Sequence, residues 1–208
     1  MEERAWLAFL IAYLCPLEDG DPFAAIREVR TSWGSGAVPA VDDVATGPRT
    51  AHDPGRGTRT LDSYRAWAGR AGSQAQAFGG EEEWTGERRF ERVLERLALP
   101  GLHRDARFDL LVTLGYLGVF ELRAGTVALG GSDEVTIAAK RALGIGDALL
   151  LERRAQQLAD ACGVPLAALD LGLFNWGRPS SERATLGLGP AAEPDPAVVD
   201  RARAALSL

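Results

Sequence analysis

The chain has almost no lysine. Of its 23 basic residues only Lys140 is one, and all the others are arginine. A mechanism that needs a side-chain Schiff base therefore has a single amine to draw on. Cysteine is nearly as scarce: Cys15 and Cys162 lie far apart, each in an apolar stretch, so no disulfide ladder, zinc knuckle or iron–sulfur loop can be assembled. That usage suits a reducing compartment. There is no basic surplus either, since 29 acids leave a net charge of −6. The general signature of a nucleic-acid binder is missing, and any such contact must be local. Long apolar runs are absent too. Residues 5–15 are apolar but only about half the ~20 residues that span a bilayer, and Glu2 and Glu3 precede them where a signal peptide carries positive charge. The expectation is a soluble, cytoplasmic protein with no membrane partner.

What remains is an ordinary globular composition, 46% hydrophobic and 25% charged over 208 residues. An apolar helix ends at Pro16, and a loop carrying Glu18, Asp19 and Asp21 leads to a second, short helix that starts at Pro22. Residues 31–54 hold Gly, Pro, Ser, Asp and Thr without a usable period, too long for a simple connector. Leu61, Tyr64, Ala68 and Ala71 recur at helical spacing and predict a third helix over residues 61–78. Phe90, Val93, Leu94 and Leu97 mark a helix stopped by Pro100 and Gly101, and Ala106, Leu110, Leu111 and Leu114 mark the next. The strings FEL and TVAL, joined by a turn at residues 123–125, read as a small β-hairpin over residues 119–130. Helices are predicted at 133–143, 147–161, 165–176 and 197–206.

Charge is uneven along this plan. Residues 44–80 hold five arginines against two acids, residues 84–107 six against four, and residues 137–154 four bases against two acids. A basic face in the middle of the chain follows. Within it, a tight turn between two helices presents unpaired backbone N–H groups at the second helix's start, which is where a phosphate can sit. Gly101 allows unusual dihedrals and close backbone approach there.

The string LPGLHRDA resembles the helix-hairpin-helix turn of the DNA glycosylase superfamily, which reads LPG, an apolar residue, Gly, then a helix. FLIAYLCPLED is similar to that family's first core helix, SDEVTIAAKRALGIG to its catalytic loop and following helix, and LGLFNWGR to its closing helix. The resemblance covers residues 5–30 and 88–178. It implies an all-α, two-lobed helix-hairpin-helix glycosylase-like fold over residues 1–178, with residues 31–83 an unplaced insertion, 88–118 the helix-hairpin-helix, 119–130 the inserted β-hairpin and 132–178 the catalytic-loop and closing helices. Residues 179–208 form a tail with a short helix. The chain departs from the pattern at His103, where the family's second glycine falls, and at Asp105, where bifunctional members carry their lysine.

The function implied is a monofunctional DNA glycosylase-like or base-modifying enzyme, without β-lyase activity, acting on a flipped thymine-like or damaged base in duplex DNA. A thymine hypermodification transferase, as in the α-glutamyl/putrescinyl thymine pyrophosphorylase-like branch, is one alternative, and a non-catalytic DNA-binding module is another. Counting back from Arg141 puts Ser132 at the catalytic carboxylate, and a one-residue shift puts Asp133 there, with Glu134 beside it. An ionised carboxylate near a developing oxocarbenium would steady it only where water is excluded. The same residues suit an ordinary helix start. Expected DNA contacts are Leu99, Gly101, Leu102, His103 and Arg104 at the hairpin, Lys140 and Arg141, and His52, Arg56 and Arg59 in the insertion. Trp33, Trp84 and Glu18 are the expected base pocket. No cofactor or metal is expected.

Overall fold

The computed structural model describes residues 1–189 and 193–206, and all regular structure among them is helical. The chain divides into two compact units. The first comprises Met1–Arg123 with Leu186–Leu188, the second Ala124–Thr185 with Gly189–Leu208. No single helix among the described residues is long and apolar enough to cross a membrane.

The first unit is built on helix α1 (Glu2–Leu14), which is apolar on every side and buried from Ala5 onward except at Leu7 and Ile11. Trp6, Phe9 and Tyr13 form an aromatic ladder along it, and Tyr64 of α3 (Gly57–Arg70) stacks on Phe9 with ring centroids 3.7 Å apart. The short α2 (Ala24–Val29) follows α1 in the chain. Helices α5 (Gly86–Arg96) and α6 (Arg104–Tyr116) form the helix–turn–helix pair that the sequence predicts, and α6 packs on α1.

The insertion belongs to this core. α1 stops at Cys15, which has a φ of 59° ahead of Pro16, and its last carbonyls would be left without partners. Residues of the insertion supply them: the Ala51 N–H and Thr50 hydroxyl donate to the Tyr13 carbonyl at 3.0 and 3.1 Å, and the Gly47 N–H donates to Cys15 at 3.0 Å. Arg49 Nε lies 2.8 Å from Asp109 Oδ2 on α6, both side chains buried. At the other end of α1, the Glu3 carboxylate accepts the Ser32 hydroxyl at 2.6 Å and the Trp33 and Gly34 N–H groups. Glu2 accepts the N–H groups of Gln74 and Ala75.

Two expectations are corrected. The helix predicted over residues 61–78 is two helices, because the Ser73 hydroxyl accepts the Gln76 N–H and starts a new one, α4 (Gln74–Gly79). The β-hairpin over residues 119–130 is absent, and there is no strand among the described residues. Its first half stays in the first unit, where the Arg123 N–H donates to the Gly86 carbonyl at 3.2 Å. Its second half lies in the second unit and wraps the carboxylate of Glu152. The N–H groups of Val127, Ala128 and Leu129 and the Thr126 hydroxyl all donate to that carboxylate. Val127 and Leu129 are buried. The alternation is therefore real, but a side chain satisfies the backbone that a partner strand would have paired.

The second unit holds α7 (Glu134–Leu143), α8 (Ala148–Cys162), α9 (Leu166–Asn175), a 3₁₀ turn at Ser180–Glu182, and α10 (Pro196–Leu206). Asp147 caps α8 through the Leu150 N–H at 2.9 Å. α10 packs on α8, with Arg201 Nε donating to the Ala161 carbonyl at 2.9 Å.

Candidate nucleic-acid interface

Helix α5 cannot continue through Pro100, and the chain reverses in the four residues Leu99, Pro100, Gly101 and Leu102. The Leu102 N–H donates to the Leu99 carbonyl at 3.1 Å, and Gly101 has a φ of +76°. Proline second and a left-handed glycine third are the type II turn signature. Leu97 and Leu102 anchor the turn in the core. A Cβ at position 101 would meet Thr60 Oγ1 of α3 at 2.2 Å, so the turn lies directly against the first turn of α3.

That approach makes a cleft of about 360 Å³ lined by Asp53, Arg56, Arg59, Thr60, Pro100, Gly101 and His103. Two segments far apart in sequence meet in it. Arg56 is the residue before α3 and His103 the residue before α6, and neither helix start carries a side-chain cap. Each helix dipole adds positive potential at these two starts, which no N-cap side chain neutralises. Arg56, Arg59 and His103 are exposed, and Asp53 Oδ2 lies 3.4 Å from Arg56 Nε. His103 has a φ of −64°, an extended conformation open to any residue, so this position of the turn needs no glycine.

Tyr13 of α1 is fully buried. Burial pushes its hydroxyl above the ordinary 10.0, and a hydrogen bond with the Thr60 side chain acts in the opposite direction. The same hydroxyl is 3.2 Å from His52 Nδ1. His52 is accordingly half-buried and turned toward the core.

Other sequence-chosen residues are placed differently. Arg104 is buried with its guanidinium 4.4 Å from the Phe108 ring centroid and paired to Asp105 at 3.2 Å. Trp33 leans on Trp6 at 5.5 Å, with the Arg65 guanidinium 4.5 Å from its ring centroid, so its face is already occupied. Trp84 is half-buried, and Arg96 lies 5.2 Å from its ring centroid. Glu18 is exposed in the loop after α1, and Leu99 is half-buried behind the turn.

In the second unit Asp133 caps α7. Its Oδ1 accepts the Thr136 N–H at 2.9 Å and its Oδ2 the Thr136 hydroxyl at 2.8 Å. Glu134 pairs with Arg178. Arg141 sits 5.8 Å from the Trp176 ring centroid, and Lys140 is half-buried. Of the residues chosen from sequence, then, Gly101, His103, Arg56 and Arg59 share one cleft. Sequence reasoning missed Thr60 and Asp53. Nothing in the string GRGTRT distinguishes Thr60 from its exposed neighbour Thr58.

Comparison of the chain with protein-family models, with curated proteins and with solved structures gives no match in any of the three.

Proposed function

We propose that this protein binds DNA through its phosphate backbone at the cleft between the Leu99–Leu102 turn and the start of α3. One observation carries the reading: Arg56, Arg59 and His103 and two helix starts without side-chain caps face the same concave space. Guanidinium groups and the positive ends of two helix dipoles are complementary to anionic oxygens such as those of a phosphate backbone. The net charge of −6 confines the contact to this patch, so affinity is modest and steeply salt-dependent.

Of the readings drawn from the helix-hairpin-helix resemblance, the DNA-binding module is the one this geometry favours. Base excision or base substitution would ask a carboxylate to face a flipped nucleotide. Both oxygens of Asp133 are held by Thr136 in the manner of a helix cap, and Glu134 is held by Arg178.

Fluorescence anisotropy of a labelled duplex oligonucleotide tests the proposal. With two or three phosphates engaged, the logarithm of the binding constant should fall against log salt with a slope of about −2 to −3. Absence of binding at low salt would reject it.

A further inference from the structure

Two turns of the same build meet at the cleft. In residues 53–56, as in 99–102, proline stands second and a left-handed glycine third: Gly55 has a φ of +82°, and the Arg56 N–H donates to the Asp53 carbonyl at 3.0 Å. Each turn leads into a helix, α3 or α6. They differ at the first residue. A turn of this type asks only for that residue's carbonyl, and the 99–102 turn has the apolar Leu99 there. The 53–56 turn has Asp53, the one acid among the described residues that line the cleft. Its Oδ2 lies 3.4 Å from Arg56 Nε, with the two side chains 51% and 77% exposed.

Resting on the reading of the cleft as a phosphate site, we infer that Asp53 is its built-in counter-ion: the carboxylate occupies the Arg56 guanidinium in the free protein and gives it up to a phosphate of the duplex.

A carboxylate and a phosphate offer a guanidinium the same kind of anionic oxygen, so the two compete for Arg56. Asp53 has the advantage of proximity, because one tight turn ties it to its partner and no second molecule has to be captured. Its hold is nevertheless weak. Both side chains stand largely in water, where an ion pair three residues apart contributes little. A phosphate backbone that meets Arg59 and His103 at the same time can therefore open the pair. Asp53 lowers duplex affinity in two ways, by competing for Arg56 and by repelling the phosphate that replaces it. Only the first depends on Arg56, and that separates the two by experiment.

Duplex affinity of the full chain at low salt, read by the same anisotropy assay, tests this. Asn starts such turns as readily as Asp does, so Asp53→Asn should keep the parental melting curve. It is expected to tighten binding about fivefold, the most that an exposed ion pair contributes. In an Arg56→Ala background the same change should gain less than about twofold, because no guanidinium is left to release. Asp19→Asn, an equal change of net charge at an exposed residue in the loop after α1, should leave affinity at the parental value. Equal gains with and without Arg56 would reduce Asp53 to a repelling charge and overturn the inference, and so would a gain from Asp19→Asn as large as that from Asp53→Asn. Unchanged or weaker binding by Asp53→Asn while the parent binds would defeat the inference and leave the cleft reading standing. Failure of both the parent and Asp53→Asn to bind at any salt would defeat both.

Discussion

Gly101 and Thr60 touch so closely that position 101 has no room for a side chain: a Cβ there would lie 2.2 Å from Thr60 Oγ1, and the backbone is already at a φ of +76°. The contact joins the turn after α5 to the start of α3, and the cleft exists because of it. Gly101→Ala meets both the left-handed penalty of about 1–2 kcal/mol and the clash with Thr60. The expected result is a loss of about 2–3 kcal/mol in denaturant unfolding together with weaker duplex binding. A variant of parental stability would mean that the turn does not adopt this conformation.

The ion pair of Arg49 with Asp109 ties the insertion to α6 inside the core. Removing one partner leaves the other charge buried, which costs about 3–5 kcal/mol. Asp109→Ala should therefore destabilise the chain by that amount in urea unfolding. Replacing both residues with leucine should recover a large part of it. An Asp109→Ala variant within about 0.5 kcal/mol of the parent would show that the insertion does not depend on this pair.

Much of the second unit was legible in the sequence because its helices carry local signals. Asp133 and Asp147 cap, Pro165 precedes a helix, and Gly144 and Gly163 follow one. Residues 31–54 of the insertion were not legible, because they have no period of their own and are held from a distance by Glu3, Asp109 and the end of α1. The TVAL alternation predicts a strand of a small hairpin; Val127 and Leu129 are indeed the buried pair, but Ala128 between them has a φ of 58°, and alternation does not say whether a strand or a carboxylate satisfies the backbone. The LPG string marked the turn. Thr60 carries no mark in the sequence, and its place emerges only when α3 meets Gly101.

Glu152 replaces the missing strand partner by accepting the N–H groups of Val127, Ala128 and Leu129. Hydrogen bonds to a charged acceptor contribute about 1.5–3 kcal/mol each, with shared acceptors contributing less than their sum. Glu152→Ala should lower stability by about 3 kcal/mol or more, and these three amides should exchange with solvent far faster than in the parent. Unaltered protection at Val127 and Leu129 would contradict the arrangement.

The Glu3 carboxyl is held below its ordinary 4.5, first by the Ser32 hydroxyl and then by the Trp33 N–H. A carboxyl lowered in the folded state contributes fully above its unfolded value, and the contribution fades as pH falls through the folded one. The clamp on residues 32–34 should thus be intact at neutral pH, weaken below 4.5 and be lost in stronger acid. The Trp33 and Gly34 amide shifts report it directly, and Glu3→Gln at neutral pH should reproduce the acid values. Parental Trp33 and Gly34 amide shifts in Glu3→Gln at neutral pH would argue against the clamp.

The salt dependence of duplex binding for Arg56→Ala/Arg59→Ala, set beside Lys140→Ala/Arg141→Ala, tests the central claim most directly. Each phosphate contact removed should flatten the log–log slope by about 0.9. The first pair should lower both affinity and slope by about two contacts, and the second pair should leave both at parental values. Equal slopes for the parent and the Arg56/Arg59 variant would place the DNA-binding surface somewhere other than this cleft.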